Sequence, residues 1–207
     1  YNIKKMISIL KLKSGNIASV ENMLKFLGHN VEIITSKSEL LKAKKLILPG
    51  IGSFNETMNY LKQNELIETL RLLIIKNEVP TLGICMGMQI LLSSSEEGKL
   101  CEGLSVFPEK IKKFNKNFSK VPHVGWNKLE IINSQEMFLD EKNFFYFSHS
   151  YFLEKISSEN IISLSVNGSK FVSSIKKNNV IGAQFHPEKS HKYGFHFLDY
   201  FAEKFYV

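Results

Sequence analysis

Apolar positions change their spacing along this chain, and each change marks an element. Residues 6–12 form a short, nearly continuous apolar run, Met-Ile-Ser-Ile-Leu-Lys-Leu, which predicts a first buried strand. Ser14-Gly15-Asn16 is a turn or cap signal. Ile17, Val20, Leu24 and Leu27 follow at helical spacing, and Gly28 closes that helix. Residues 31–34 and 45–48 predict a second and a third strand. The third runs into Pro49-Gly50-Ile51-Gly52-Ser53-Phe54, after which helical patterns fill 55–76. Val79, Leu82 and Ile84 mark a fourth strand, and Met88-Gln89-Ile90-Leu91-Leu92 opens an apolar helix.

Alternating strands and helices imply parallel strands joined by crossover helices. After Ser95 the texture changes. Short β-like runs appear at 129–132, 144–147, 161–166, 171–175 and 180–185, with turn signals at Asn167-Gly168 and Asn178-Asn179. Phe197, Leu198, Phe201 and Phe205 share one stripe of a closing helix over 193–206. The expected fold class is therefore α/β: an open mixed sheet with a parallel core, helices on both faces and an antiparallel second portion. No repeat, linker or low-complexity segment divides it, so one domain is expected over 1–207. Residues 1–5 have neither a starting Met nor an apolar signal core and are expected to be a trimmed or disordered end.

A length of 207 residues and 43% hydrophobic content suit one full-sized core. No apolar run approaches the ~20 residues that span a bilayer, so no membrane role is expected. The net charge is +7, yet Arg71 is the only arginine. Nucleic-acid readout leans on arginine forks, so the lysines read as a solvated surface and no nucleic-acid partner is expected. Two cysteines, Cys85 and Cys101, make no disulfide framework. They suit a reducing cytoplasm.

Gly83-Ile84-Cys85-Met86-Gly87 between a strand and a helix is the setting of a nucleophile elbow. The glycines let strand and helix close around the turn. The helix start favours a thiolate. A buried core cysteine is the plainer alternative. A thiol nucleophile needs a base. Among six histidines, His186 is favoured, because Gln184-Phe185-His186-Pro187-Glu188 is extended around Pro187 and places Glu188 on the same side as His186. Glu188 could thus orient the imidazole, as the third member of a triad does. His29, His191 and His196 read as packing or surface residues. Backbone amides of Gly50, Ile51 and Gly52, with that of Met86, are candidates for an oxyanion hole. No cofactor or metal set is expected.

Three blocks, Pro49-Gly50-Ile51-Gly52-Ser53-Phe54, Leu82-Gly83-Ile84-Cys85-Met86-Gly87-Met88-Gln89 and Gln184-Phe185-His186-Pro187-Glu188, together resemble the signature blocks of class I (triad) glutamine amidotransferases. Val121-Pro122-His123-Val124-Gly125-Trp126-Asn127 and Phe147-Ser148-His149-Ser150-Tyr151 resemble those of the glutaminase subunits of imidazole glycerol phosphate synthases. The resemblance spans about 6–206. It implies a flavodoxin-like sheet and glutamine hydrolysis to glutamate and ammonia, with Cys85 as nucleophile, His186 as proton shuttle and Glu188 as its orienter. It implies a glutamine pocket at Gly52, Gln89, His149, Ser150 and Tyr151. Asn16, His123, Trp126 and Asn127 would face a (β/α)8-barrel cyclase in a heterodimer. Ammonia would pass through that barrel to make imidazole glycerol phosphate and AICAR in histidine biosynthesis, and the glycine loop would be the element that moves. One departure stands out: Lys11-Leu12-Lys13-Ser14-Gly15-Asn16 replaces the usual Asp-Tyr-Gly-x-Gly-Asn, reversing the local charge. It keeps open a paralogous subunit that supplies ammonia for amidination of a surface or flagellar sugar. A cysteine peptidase, a glyoxalase-like enzyme and a purely binding subunit are the competing classes.

Overall fold

The computed structural model describes residues 6–97, 101–133 and 143–205. Residues 1–5, for which a trimmed or disordered end is expected, lie outside the described residues. In the first half, β1 (Ile7–Leu10), β2 (Val31–Ile34), β3 (Leu46–Leu48) and β4 (Thr81–Ile84) alternate with α1 (Ile17–Phe26), the one-turn α2 (Lys37–Leu40), α3 (Phe54–Gln63), α4 (Ile67–Arg71) and α5 (Met86–Ile90). The helix predicted over 55–76 is broken after α3. Glu65 takes φ 54°, and the Leu66 amide reaches back to the Leu61 carbonyl at 2.9 Å. This is a Schellman stop with glutamate at the position where glycine is usual, so the sequence carried no visible break.

The second half adds β5 (Ser94–Ser95), β6 (Cys101–Glu102), β7 (Lys110–Lys113), β8 (His123–Lys128), β9 (Glu130–Ile131), β10 (Phe144–His149), β11 (Tyr151–Leu153), β12 (Ile161–Asn167), β13 (Ser169–Lys177), β14 (Val180–Ala183) and α6 (His191–Glu203). The two turn signals close hairpins. Gly168 (φ 74°) joins β12 to β13, and Asn178 (φ 48°) joins β13 to β14. β7, β8 and β11 escaped the hydrophobic pattern. In β7 only Ile111 is fully buried among lysines, and in β8 only the His123 side chain is.

Among the described residues the main sheet runs β2-β1-β3-β4-β14-β13-β11-β7-β5-β6, with β12 beside β13 and β9 beside β12. β2 through β14 are parallel, and β14-β13-β11-β7 are antiparallel to one another in turn. β8 and β10 form a separate antiparallel pair, tied to the rest by a bridge from Tyr146 to His186.

Period-two alternation sorts the strand side chains into two cores. Ile7, Ile9, Ile47, Leu82, Ile84, Ile181 and Ala183 meet α1 and α6 through Val20, Leu24, Phe197, Leu198 and Phe201. Leu10, Leu46, Leu48 and Val180 meet the opposite layer through Phe54, Met58, Leu61, Leu70 and Met88. Both faces are covered, so these strands read as unbroken apolar runs. β3, β4 and β14 are neighbours in the sheet, and the glycine loop, Cys85 and His186 follow their carboxyl ends. In parallel sheets ligands bind at that edge.

Candidate active site

Cys85 occupies the turn between β4 and α5 with φ 51° and ψ −104°. A non-glycine residue there is strained and persists only where its surroundings hold it. The packing of α5 onto the sheet supplies that hold. A Cβ on Gly83 would lie 2.6 Å from the Gly87 carbonyl oxygen, and one on Gly87 would lie 1.7 Å from that of Leu48. The flanking glycines therefore let helix and strands approach closely enough to clamp the turn.

His186 follows β14 and is 1% exposed. Its backbone amide donates to the Tyr146 carbonyl at 2.8 Å. Its carbonyl accepts from the Ser190 hydroxyl at 2.6 Å, and the same hydroxyl accepts the Tyr146 amide at 3.0 Å. The His186 backbone is thus held from both sides. The ring Nδ1 lies 2.8 Å from Glu188 Oε1, with both side chains buried. An ionised carboxylate only accepts, so Nδ1 carries the proton and Nε2 is left for Cys85. Burial by itself lowers the pKa of this imidazole. The charge interaction and hydrogen bond with Cys85, and then those with Glu188, outweigh that and push it up to about 10.

The opposite wall is the end of β10 and the start of β11. His149 Nδ1 donates to the Tyr151 carbonyl at 2.8 Å, so its Nε2 is an acceptor. His123 Nδ1 lies 3.0 Å from that Nε2 and must be the donor, which makes His123 Nε2 the acceptor for Asn127 Nδ2 at 3.3 Å. Both rings are neutral. Burial pulls His149 down to about 3, and burial with nearby Lys120 pulls His123 down to about 4.

Between the walls lies a cavity of about 370 Å3, lined by Gly52, Cys85, Gln89, His149, Ser150, Tyr151 and His186, and also by Glu97 and Lys189. All five residues expected around a glutamine pocket are therefore brought together. A larger cleft of about 720 Å3 lies elsewhere, between α3, α4 and β6. Its thiol, Cys101, has no histidine among the described residues of the lining, so the smaller cavity is the one that combines a thiol with a histidine.

The glycine loop shows a closed arrangement. The Met86 amide donates to the Gly50 carbonyl at 3.3 Å, and the Ile51 amide to the Ser14 carbonyl at 3.4 Å. In this arrangement two of the four candidate oxyanion donors, the Met86 and Ile51 amides, are engaged within the protein.

The residues expected at a partner surface divide. Trp126 is 46% exposed and stacks on His191 with ring centroids 5.3 Å apart. Asn16 is half-buried at the start of α1. His123 is buried, not exposed. Strand alternation turns its side chain inward, where it is 7% exposed and packs on Phe147, Phe171 and Phe114. Asn127 shares that face, and its amide is used by His123, the Val166 carbonyl and the Lys128 amide.

Sequence reasoning missed Glu97, Lys189 and Gln184 as site residues. Glu97 arrives from beyond β5 and accepts the Phe54 amide at the start of α3 at 2.6 Å. Lys189 lies 5.5 Å above the Tyr146 ring. Gln184 did carry a signal: it lies two residues before His186 in an extended segment, hence on the same face. In Lys11-Leu12-Lys13, Leu12 is buried and both lysines are exposed, so the departure changes surface charge and leaves the core apolar.

Comparison with known proteins covers nearly the whole chain. Residues 9–204 match the family described as glutamine amidotransferase class-I. Subunit HisH 2 of imidazole glycerol phosphate synthase from Methanococcus maripaludis is 42% identical over 203 residues, covering 96% of this chain and 100% of that protein. Subunit HisH 1 from Campylobacter jejuni subsp. jejuni is 39% identical over 200 residues, covering 95% and 99% respectively. A chain in the structure of PurLQS from Thermotoga maritima shares the fold, with a TM-score of 0.75 at 16% identity over 97% of this chain and 98% of that one.

Proposed function

The chain belongs to the class-I glutamine amidotransferase family, and from that premise we propose that it is a cytoplasmic glutaminase subunit. It releases ammonia from glutamine for a barrel-shaped cyclase partner in histidine biosynthesis, and the whole chain acts as one amidotransferase unit. The observation that carries this reading is His186, held by Glu188 at 2.8 Å beside the strained Cys85 at adjoining strand ends.

The chemistry follows from those positions. The Cys85 thiolate adds to the side-chain amide carbon of glutamine. The His186 imidazolium gives its proton to the leaving nitrogen, and ammonia departs from a glutamyl thioester. Water then attacks the thioester, with the neutral imidazole taking its proton, and glutamate leaves. Glu188 keeps the proton on Nδ1 throughout and offsets the charge of the imidazolium. Gly52, Ser150, Tyr151 and the acceptor oxygen of Gln89 surround the amino-acid end, where Glu97 suits an α-ammonium. The oxyanion needs the Met86 amide, which here serves the Gly50 carbonyl. Turning the Gly50–Gly52 segment is therefore the activating step, and the partner's ligand-bound state triggers it. Trp126 and Lys189 lie on the side offered to that partner.

The test is glutamate release by this subunit mixed with the histidine-pathway cyclase of its own organism, with and without that cyclase's nucleotide ligand. Strong ligand-dependent stimulation is expected. The exposed Lys11 and Lys13 favour one second reading, a sister subunit serving sugar amidination. That reading gains if Cys85 reacts stoichiometrically with a glutamine-mimicking electrophile while the cyclase stimulates nothing.

A further inference from the structure

We propose that Gln184 is a further catalytic residue, an uncharged donor whose side-chain N–H holds the Cys85 sulfur in its thiolate form. The inference rests on the reading of Cys85 as the nucleophile. Gln184 is fully buried, and its Nε2 lies 3.7 Å from Cys85 Sγ. Its orientation is dictated by a chain of partners. The Tyr151 carbonyl can only accept, and Gln89 approaches it at 3.0 Å, so the Gln89 atom there is Nε2. The same Nε2 lies 3.0 Å from the other end of the Gln184 amide, which must therefore be Oε1. The nitrogen is then the only end of Gln184 that can face sulfur. His149 donates to the same Tyr151 carbonyl at 2.8 Å, which fixes that carbonyl in turn.

The chemistry of the sulfur makes this donor consequential. As a thiol, Cys85 donates weakly to the Ser148 carbonyl at 3.9 Å. As a thiolate it can only accept, and that carbonyl becomes a repelling neighbour. The Gln184 N–H gains strength at the same moment, because hydrogen bonds to an ionised acceptor are about twice as strong as neutral ones. An amide does not titrate, so its support is constant while His186 gains and loses its proton. It also keeps a donor on the sulfur during thioester hydrolysis, when the thiolate is the leaving group.

The experiment is the rate of Cys85 alkylation by iodoacetamide against pH, followed by peptide mass mapping, in the unaltered chain and in Gln184→Met, which keeps the shape and removes the donor. The other groups around Cys85 remain in the variant: His186 backed by Glu188, His149 across the cavity, and Glu97 and Lys189 in its lining. We expect the alkylation midpoint to move up by about one pH unit, with a roughly tenfold slower rate below it. Superimposable profiles overturn the proposal. If Gln184→Met does not fold, the Gln184 side-chain amide proton of the unaltered chain gives the answer by NMR. Its resonance should titrate with the alkylation midpoint and become pH-independent in Cys85→Ala; a resonance indifferent to pH, or one that still titrates in Cys85→Ala, refutes the role. A Cys85 that reacts with iodoacetamide no faster than an exposed peptide thiol at any pH would sink the nucleophile reading itself.

Discussion

Two buried histidines flank the same cavity, and the protein treats them in opposite ways. His186 faces a thiol and a buried carboxylate and is pushed up to about 10. His149, on the other wall, faces a backbone carbonyl and a neutral ring and is pulled down to about 3. Both are desolvated, so burial does not distinguish them; the charge of the hydrogen-bond partners does. One wall holds a proton between Cys85 and a carboxylate. The other is a chain of fixed tautomers from Asn127 through His123 and His149 to the Tyr151 carbonyl, and it shapes the pocket without exchanging charge.

The comparison breaks most completely at the thiol. Cys85→Ala should abolish glutamate release while leaving the melting temperature nearly unchanged. It should also bring the His186 pKa, followed by NMR, well below its original value, because the largest force raising it is gone. Full hydrolysis by Cys85→Ala would end the triad reading. Next in size, His186→Asn should lower kcat by about a thousandfold and Glu188→Gln by about tenfold to a hundredfold, since orienting a ring is a smaller contribution than transferring its proton.

The other wall responds to acid. His149 is neutral when folded and has an ordinary pKa when unfolded, so below about pH 6.5 the unfolded chain binds the extra proton and stability falls as pH drops. Between pH 7 and pH 5 this one group costs about 2 kcal/mol. His186 offsets less than half of this, and only in the upper part of the window, because below its unfolded pKa it is protonated in both states. Urea unfolding at the two pH values should show the fall, and His149→Gln should remove that part of it. Smallest of all, Cys101→Ser should change hydrolysis less than twofold in a steady-state assay, since that half-buried thiol lines the other cleft, with no histidine among the described residues of its lining.

The fold of the first half was legible because parallel strands buried on both faces must be apolar throughout, and the intervening helices keep a 3.6-residue stripe. Legibility failed where a strand is half-buried or rich in lysine, as in β7 and β8, and where glutamate fills a helix stop normally marked by glycine, as at Glu65. Within the site, Cys85, His186 and Glu188 were readable from local spacing. Gly83 and Gly87 mark the elbow, and the two-residue step from His186 to Glu188 sets the shared face.

By itself, then, the sequence determined the order of the strands up to β4, the strained turn at Cys85 and the pairing of His186 with Glu188. Each depends on residues within a few positions of one another, where backbone geometry leaves little choice. Only the tertiary structure decided that Gln184 and Gln89 join Cys85 to the Tyr151 carbonyl, that His123 points into the core, and that the Gly50 carbonyl occupies the Met86 amide. Those contacts join residues about 26 to 99 positions apart. No local periodicity encodes them. They exist because β3, β4, β14 and the β8–β10 pair end at one edge, where each polar atom removed from water must find its partner among whatever the fold has brought there.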